Sequence, residues 1–138
     1  MTDNPTLQVQ VVSPEQILYE GEGEMVVCRT SDGELAFLPG HVPLLGALGV
    51  AKVRVILPGE GEQVIAVHGG FVEVSGDKVI VLSDVAELPE HVDATRARAA
   101  KERAETTLST AGDDELGMGA LARAELRLEI AGENEPAH

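Results

Sequence analysis

Aromatic and basic residues are scarce in this chain of 138 residues. It has no Trp, one Tyr and two Phe, and its 10 Lys and Arg face 24 Asp and Glu, for a formal net charge of -14. A protein that binds nucleic acid or an anionic membrane surface needs clustered basic residues to neutralise phosphates, and base stacking needs aromatic side chains. The composition therefore argues against direct binding to nucleic acid or to an anionic membrane surface.

Cysteine and long apolar runs are equally rare. The single cysteine, Cys28, cannot form an internal disulfide, and Met1 to Leu7 lack the basic start and apolar run of a secretion signal, so we expect a reducing compartment. No segment approaches the roughly 18 to 20 apolar residues that a spanning helix needs. The apolar content of 43% is nevertheless ordinary for a globular protein. We expect one folded domain with a small appendage.

Motifs that carry chemistry are also missing. The four histidines, His41, His68, His91 and His138, do not have the spacing of known metal-binding motifs, and neither a nucleophile elbow nor a P-loop is present. A small metalloenzyme of the cupin or jelly-roll type is therefore disfavoured. We interpret His41 and His68 as structural hydrogen-bonding residues, and Cys28 as a buried residue of a strand over 25–30.

Residues 1–86 have the pattern of short strands: they hold 11 of the 15 glycines, and turn residues recur every eight to twelve positions. Apolar and polar residues alternate in Leu7–Val11 and Lys52–Val55, which predicts strands with one buried face. Val64–Val67 and Val79–Leu82 are apolar throughout, which predicts strands covered on both faces. This part is predicted to form a compact β-sandwich or flattened barrel of antiparallel strands.

After Pro89 the composition changes to Ala, Glu, Arg and Leu, the residues that favour helices. Asp93 is the predicted N-cap of a first helix, and Asp113 or Asp114 can cap a second after the break at Ser109–Glu115. The predicted inner stripes are Ala97, Ala100, Ala104 and Leu108 on the first helix, and Gly117, Leu121, Ala124 and Leu128 on the second. We therefore predict a β domain over 1–88 and a helical hairpin over 89–138, with a frayed tail from Ala131 to His138.

Charged residues on these helices allow two interpretations. Asp93, Arg96 and Arg103 fall within one stripe of the first helix, and Arg123 and Arg127 form an i,i+4 pair on the second. Folded antiparallel, the helices bring several guanidinium groups towards one anionic ligand. The alternative is a solvated face stabilised by i,i+4 ion pairs, namely Arg98 with Glu102 and Lys101 with Glu105.

Three motifs resemble one family, in the family's own order. Arg29–Glu34 leading to Leu38–Leu44 resembles the signature of the F-type ATP synthase epsilon chain of the bacterial type. Val67–Val74 resembles its second signature, and Val92–Ala97 resembles the motif that opens its helical part, with Val92 in place of the usual Ile or Leu. The resemblance implies an α+β fold: a β-sandwich of about ten strands followed by a two-helix hairpin.

The resemblance also implies a function. Members are non-catalytic subunits of the central stalk that bind the gamma chain and the c-ring and couple proton flow to ATP synthesis. Their hairpin contacts the alpha and beta catalytic chains when extended and inhibits ATP hydrolysis. The implied location is the cytoplasmic side of the cell membrane, with membrane contact only through the complex.

The resemblance further implies that some members bind ATP through their hairpin. Carried over to this sequence, the nucleotide-binding residues are Glu87, Asp93, Arg96, Arg103, Arg123 and Arg127. No catalytic residue, metal ligand or required cofactor is implied, and ATP would be a regulatory ligand. The alternative function that shares these arginines is a stand-alone nucleotide-sensing module.

Overall fold

The structure of the chain is a computed structural model that describes residues 5–30, 32–111 and 115–132. Its eight strands are β1 (Leu7–Val12), β2 (Ile17–Gly23), β3 (Met25–Thr30), β4 (Gly33–Phe37), β5 (Leu44–Ile56), β6 (Glu62–Ser75), β7 (Lys78–Leu82) and β8 (Ala86–Glu87). A 3₁₀ turn at Pro89–His91 and two helices follow, α1 (Ala94–Ala111) and α2 (Glu115–Gly132). The predicted α+β class, with strands first and helices after, is confirmed.

The chain divides into two units, Met1–Glu87 with the strands and Leu88–His138 with the helices. In the first unit the strands form one sheet in the order β2-β1-β7-β6-β5-β3-β4, and β8 pairs with β6. All of these pairs are antiparallel except β1 with β7, which is parallel. The expectation of antiparallel strands is therefore wrong at this pair. Parallel neighbours need a long connection, and β2 to β6 supply it here.

The expectation of about ten strands is also corrected, because the described residues form eight. Strands β5 and β6 are unusually long, with 13 and 14 residues. They stay paired from Leu44 opposite Val74 to Ile56 opposite Glu62. Segments that look like separate short strands in the sequence, such as Lys52–Val55, are thus halves of long continuous strands.

The core of the first unit lies on the inner face of this sheet. The alternation predicted for Leu7–Val11 is confirmed, since Leu7, Val9 and Val11 are at most 1% exposed. A Cβ atom added at Gly23 would lie 2.8 Å from Val55 on β5 and 3.3 Å from Val9 on β1. The sheet therefore folds over on itself at the end of β2, and side chains from both halves fill the space between them.

Coverage of the outer face differs between two strands. The prediction for Val64–Val67 is confirmed, because all four residues are buried and β8 pairs beside Ala66 and Val67. The prediction for Val79–Leu82 is wrong at its second face, because Ile80 is only half-buried and Leu82 is 52% exposed. The outer face of β7 thus carries apolar side chains that no described residue covers completely.

Helix α1 begins as predicted and ends later than predicted. The backbone N–H of Arg96 donates to Oδ1 of Asp93 at 3.1 Å, which confirms Asp93 as the N-cap. The break expected from Ser109 is wrong, since α1 continues to Ala111. The Ser109 and Thr110 hydroxyls donate to the carbonyl of Thr106 one turn earlier, so they are satisfied without leaving the helix.

The two helices pack against each other, and α2 also packs against the 3₁₀ turn. The predicted stripes are confirmed at Ala97, Ala104 and Ala124, which are 3%, 5% and 1% exposed. Leu126 and Ile130 are also buried, although the predicted stripe of the second helix omits them. The prediction of a frayed tail is wrong at Ala131, which is a buried residue of α2. Residues 133–138 and the caps Asp113 and Asp114 lie outside the described residues.

Candidate functional site

The six predicted nucleotide-binding residues begin with Glu87, the last residue of β8. Its Oε1 atom lies 2.8 Å from Nε2 of His68, whose side chain is 2% exposed. His68 is thus a structural hydrogen-bonding residue, as predicted, and its side chain is also buried. His41 also has the expected structural role, because its Nδ1 lies 2.6 Å from the Val42 carbonyl and its ring stands edge-on to Phe37.

The other five residues lie in the second unit. Asp93 caps α1, while Arg96 and Arg103 are exposed and seven positions apart, so they share one helix face. On α2, Arg123 is exposed and Arg127 is half-buried. A Cβ atom at Gly119 would come within 3.2 Å of an Arg123 guanidinium nitrogen, so this glycine leaves room for the arginine to lie along the helix.

Helix lengths show which arginines share a level of the hairpin. Arg103 lies eight residues before the end of α1 at 111, and Arg123 lies eight residues after the start of α2 at 115. Arg127 is twelve residues from that start and Arg96 fifteen from that end, a difference of three residues, or about 4.5 Å of helix rise. Arg103 and Arg123 therefore lie at the same height along the two packed helices, and Arg96 and Arg127 lie at similar heights.

The two ion pairs predicted on α1 are not formed in the described residues. Among the described residues, no salt bridge joins Arg98 to Glu102 or Lys101 to Glu105, whereas Arg54 pairs with Glu62 at 2.7 Å. The solvated-face interpretation thus lacks the side-chain contacts that it invoked. Guanidinium groups at matched heights on one hairpin can bind phosphate.

A second candidate region, which sequence reasoning missed, is a row of apolar side chains across the outer sheet face. The pairing places Ala47 opposite Phe71, Phe71 opposite Leu82, Leu82 opposite Val12, and Val12 opposite Ile17. This row crosses β5, β6, β7, β1 and β2. Phe71, Leu82 and Ile17 are 56%, 52% and 56% exposed. The next residues along these strands are buried, so these five residues, the outer row, share the face away from the core.

A hollow of about 350 Å³ opens at one side of the outer row. Phe71 and Leu82 form part of its wall, together with Gly69 and Gly70. Gly70 has a φ of +135°, and a Cβ atom there would lie 2.1 Å from the Leu82 carbonyl oxygen. Only glycine fits at position 70, and the φ of +83° at Gly69 also favours glycine, which explains physically why a Gly-Gly pair stands in the middle of a long strand.

Three described side chains, Tyr19, Cys28 and Glu62, have a perturbed pKa, and none of them belongs to the predicted nucleotide residues or to the outer row. Burial raises the pKa of the Cys28 thiol to about 12, as expected for a buried residue of β3. A hydrogen bond from Arg54 lowers the pKa of Glu62. The described residues contain no group of three or more His, Cys, Asp or Glu placed to hold a metal ion. None of the helices that can be described is long and apolar enough to cross a membrane.

These features define a class of small two-part proteins, in which a β-sandwich with an apolar outer face precedes a helical hairpin. The family model for the β-sandwich domain of the ATP synthase delta/epsilon chain matches residues 6–89. The ATP synthase epsilon chain of Halalkalibacterium halodurans is 46% identical over 132 residues, 93% of this chain and 98% of the relative. That of Levilactobacillus brevis is 39% identical over 95% of this chain and 94% of its own length.

Solved structures agree at the level of the fold. A chain of the Euglena gracilis mitochondrial ATP synthase, in its OSCP/F1/c-ring assembly, matches with a TM-score of 0.78 and 23% identity over 91% of this chain and 81% of its own. One from the Tetrahymena thermophila central stalk and c-ring matches with a TM-score of 0.56 and 13% identity, over 96% and 98%. The chain belongs to the ATP synthase epsilon chain family.

Proposed function

We propose that this chain is the rotor subunit that joins the gamma chain to the c-ring of a proton-translocating F-type ATP synthase, and that it is not catalytic by itself. The observation that carries the proposal is the outer row. Exposed apolar residues in contiguous patches mark protein interaction sites. A sheet face with Phe71, Leu82 and Ile17 in line is suited to a protein partner and unsuited to the water of an isolated domain.

The energetics favour a covered face. Fully burying a Leu, Ile or Phe side chain is favourable by about 1.5–3 kcal/mol. Covering the exposed half of each such side chain therefore contributes roughly 1 kcal/mol to the free energy of binding. The row also lies on paired strands and is therefore rigid, so little conformational entropy is lost on binding. In this proposal, the protein partners alone hold the chain at the cytoplasmic side of the membrane. Such attachment requires neither a basic surface nor a spanning helix.

Binding of the purified chain to the gamma chain tests this role. We expect Phe71→Glu to weaken binding at least tenfold, because it places a charge within the covered row. The matched control is Leu116→Glu, which introduces the same charge at an 82% exposed residue of the helical unit and should leave the affinity unchanged. Equal affinities for wild type and Phe71→Glu would contradict docking through the outer row.

The helical unit is proposed to regulate hydrolysis by moving between a folded and an extended position. The inner stripe of α1 is largely alanine, which buries little apolar area. The folded and extended positions therefore differ by a small free energy. ATP bound by Asp93, Arg96, Arg103, Arg123 and Arg127, together with Glu87, favours the folded position only through its higher affinity for that state. In the extended position, the arginines meet acidic groups of the alpha and beta chains.

Calorimetry and hydrolysis assays test the regulation. The full chain should bind ATP, and Arg103→Ala should weaken binding about tenfold because a charged phosphate contact is lost. Arg98→Ala removes another exposed guanidinium of α1, outside the predicted set, and serves as the control. Truncation after Pro89 should raise ATP hydrolysis by the reconstituted synthase. Unchanged hydrolysis contradicts the inhibitory role, and no binding at millimolar ATP contradicts the sensing role.

A further inference from the structure

A second row of side chains lies beside the outer row, on the same face of the sheet. Strand pairing aligns five residues in it, in the order Leu45, Glu73, Ile80, Gln10 and Glu20. On β6, Glu73 comes two residues after Phe71, and its neighbours Val72 and Val74 are buried. Because side chains alternate between the two faces of a strand, Glu73 and Phe71 point away from the core together.

Apolar side chains adjoin Glu73 on three sides. Leu45 on β5 and Ile80 on β7 are its direct cross-strand neighbours, with Cβ atoms about 5 Å away. Phe71 lies about 7 Å away along the same strand. Leu45 and Phe71 are 71% and 56% exposed, and Ile80 is half-buried. The exposed carboxylate of Glu73 therefore stands within an apolar patch and not at its rim.

The carboxylate of Glu73 has no counter-ion in the part of the chain that the structure describes. No ion pair joins it to a Lys or Arg there. Lys78, the nearest basic residue in the pairing register, lies one row further on, opposite Ser75. Water solvates the exposed charge, but a partner that covers Phe71 and Leu45 also covers Glu73. Removing a charge from water without supplying a counter-ion is strongly unfavourable.

We propose that Glu73 determines which partner this face accepts, namely a gamma-chain surface that sets an arginine against it among apolar side chains. The inference rests on the docking role proposed above and adds the chemistry of the partner. A guanidinium group binds a carboxylate through two parallel hydrogen bonds and also packs flat on an aromatic ring. Glu73 and Phe71 offer both groups within about 7 Å. An entirely apolar surface is rejected, because it would leave the carboxylate buried and unpaired.

The direction in which one substitution changes the affinity tests this inference. Glu73→Gln keeps the size of the side chain and removes its charge. If the gamma chain presents an arginine, its guanidinium group loses the counter-ion. The full chain should then bind the purified gamma chain at least tenfold more weakly in surface plasmon resonance, mainly through faster dissociation. If the gamma chain presents only apolar groups, the substitution removes the cost of burying a charge and binding tightens. Unchanged or tighter binding would overturn the inference.

Further variants identify the counter-ion. Glu60→Gln makes the same change at an exposed residue between β5 and β6, and should leave the affinity unchanged. Lys78→Gln should also leave it unchanged. A loss for Lys78→Gln that does not add to the loss for Glu73→Gln would make Lys78 the counter-ion and overturn the inference. Replacement of the gamma-chain arginines by alanine, one at a time, should reveal one that weakens binding to wild type and not to Glu73→Gln. Failure to find such an arginine would contradict the inference.

The outcomes distinguish this inference from the docking role. If Phe71→Glu weakens binding to the gamma chain and Glu73→Gln does not, the inference alone is overturned. If the wild-type chain does not bind the gamma chain, the docking role and the inference are overturned together. Should Glu73→Gln fail to fold by circular dichroism, Glu73→Thr, which suits a strand, replaces it with the same expected result.

Discussion

At the scale of single residues, Gly70 shows how one position fixes the course of a long strand. Its φ of +135° and the 2.1 Å from a Cβ atom to the Leu82 carbonyl oxygen exclude any side chain. We expect Gly70→Ala to lower the free energy of unfolding by about 2–4 kcal/mol, measured by denaturant titration. Gly49→Ala is the control, because a Cβ atom there meets nothing within 4 Å. A cost for Gly70→Ala as small as that of the control would contradict the geometry.

The burial of Cys28 makes the stability of the fold depend on pH. Its thiol is 1% exposed, and burial raises its pKa from 9.0 to about 12. A raised pKa in the folded state contributes stability that is fully present below pH 9.0 and is lost as pH rises towards 12. Relative to Cys28→Ala, the free energy of unfolding should therefore fall by up to about 1.4 kcal/mol per pH unit in this window. Parallel pH profiles for the two proteins would show that the thiol ionises as freely in the folded state.

At the scale of elements, the sequence predicts short strand segments better than it predicts how long each strand is and which strands pair. Alternation identified Leu7–Val11 and Lys52–Val55 correctly, because the side-chain period of a strand is a local property. The 13 residues of β5 could not be foreseen, since hydrogen bonding to β6 carries the strand through glycines that locally indicate turns. Register explains the missed outer row. Phe71, Leu82 and Ile17 are far apart in the chain and become neighbours only through strand pairing.

In the helices too, local features were predictable from the sequence and features that depend on other contacts were not. The cap at Asp93 was predictable, because an N-cap depends on residues within one turn. The end of α1 was not, because the side chains of Ser109 and Thr110 bond backward to Thr106 instead of ending the helix. Burial of Leu126 and Ile130 was missed because α2 packs against more than α1, so its buried surface is wider than one stripe.

At the scale of the whole molecule, a β unit with an uncovered apolar row and a helical unit with matched arginines divide the proposed work. In the proposed function, the first unit serves as a rigid docking face, and the second serves as a switch between two positions that differ by a small free energy. The predicted nucleotide residues follow from family motifs, whereas the place of Glu73 beside the outer row required the fold. The strongly acidic composition is compatible with this division, because docking through the outer row needs no basic residue of this chain.

The measurement that tests this account most directly is co-purification. An affinity-tagged copy of the chain, expressed in its own cells and recovered from solubilised membranes, should bring with it the gamma chain, the c-ring and the alpha and beta chains in fixed proportion, together with ATPase activity. The Phe71→Glu copy should bring much less, and the Leu116→Glu copy the full complement. Recovery of the wild-type chain alone, with no ATPase subunits and no hydrolysis, would contradict the account and favour a stand-alone nucleotide-sensing module.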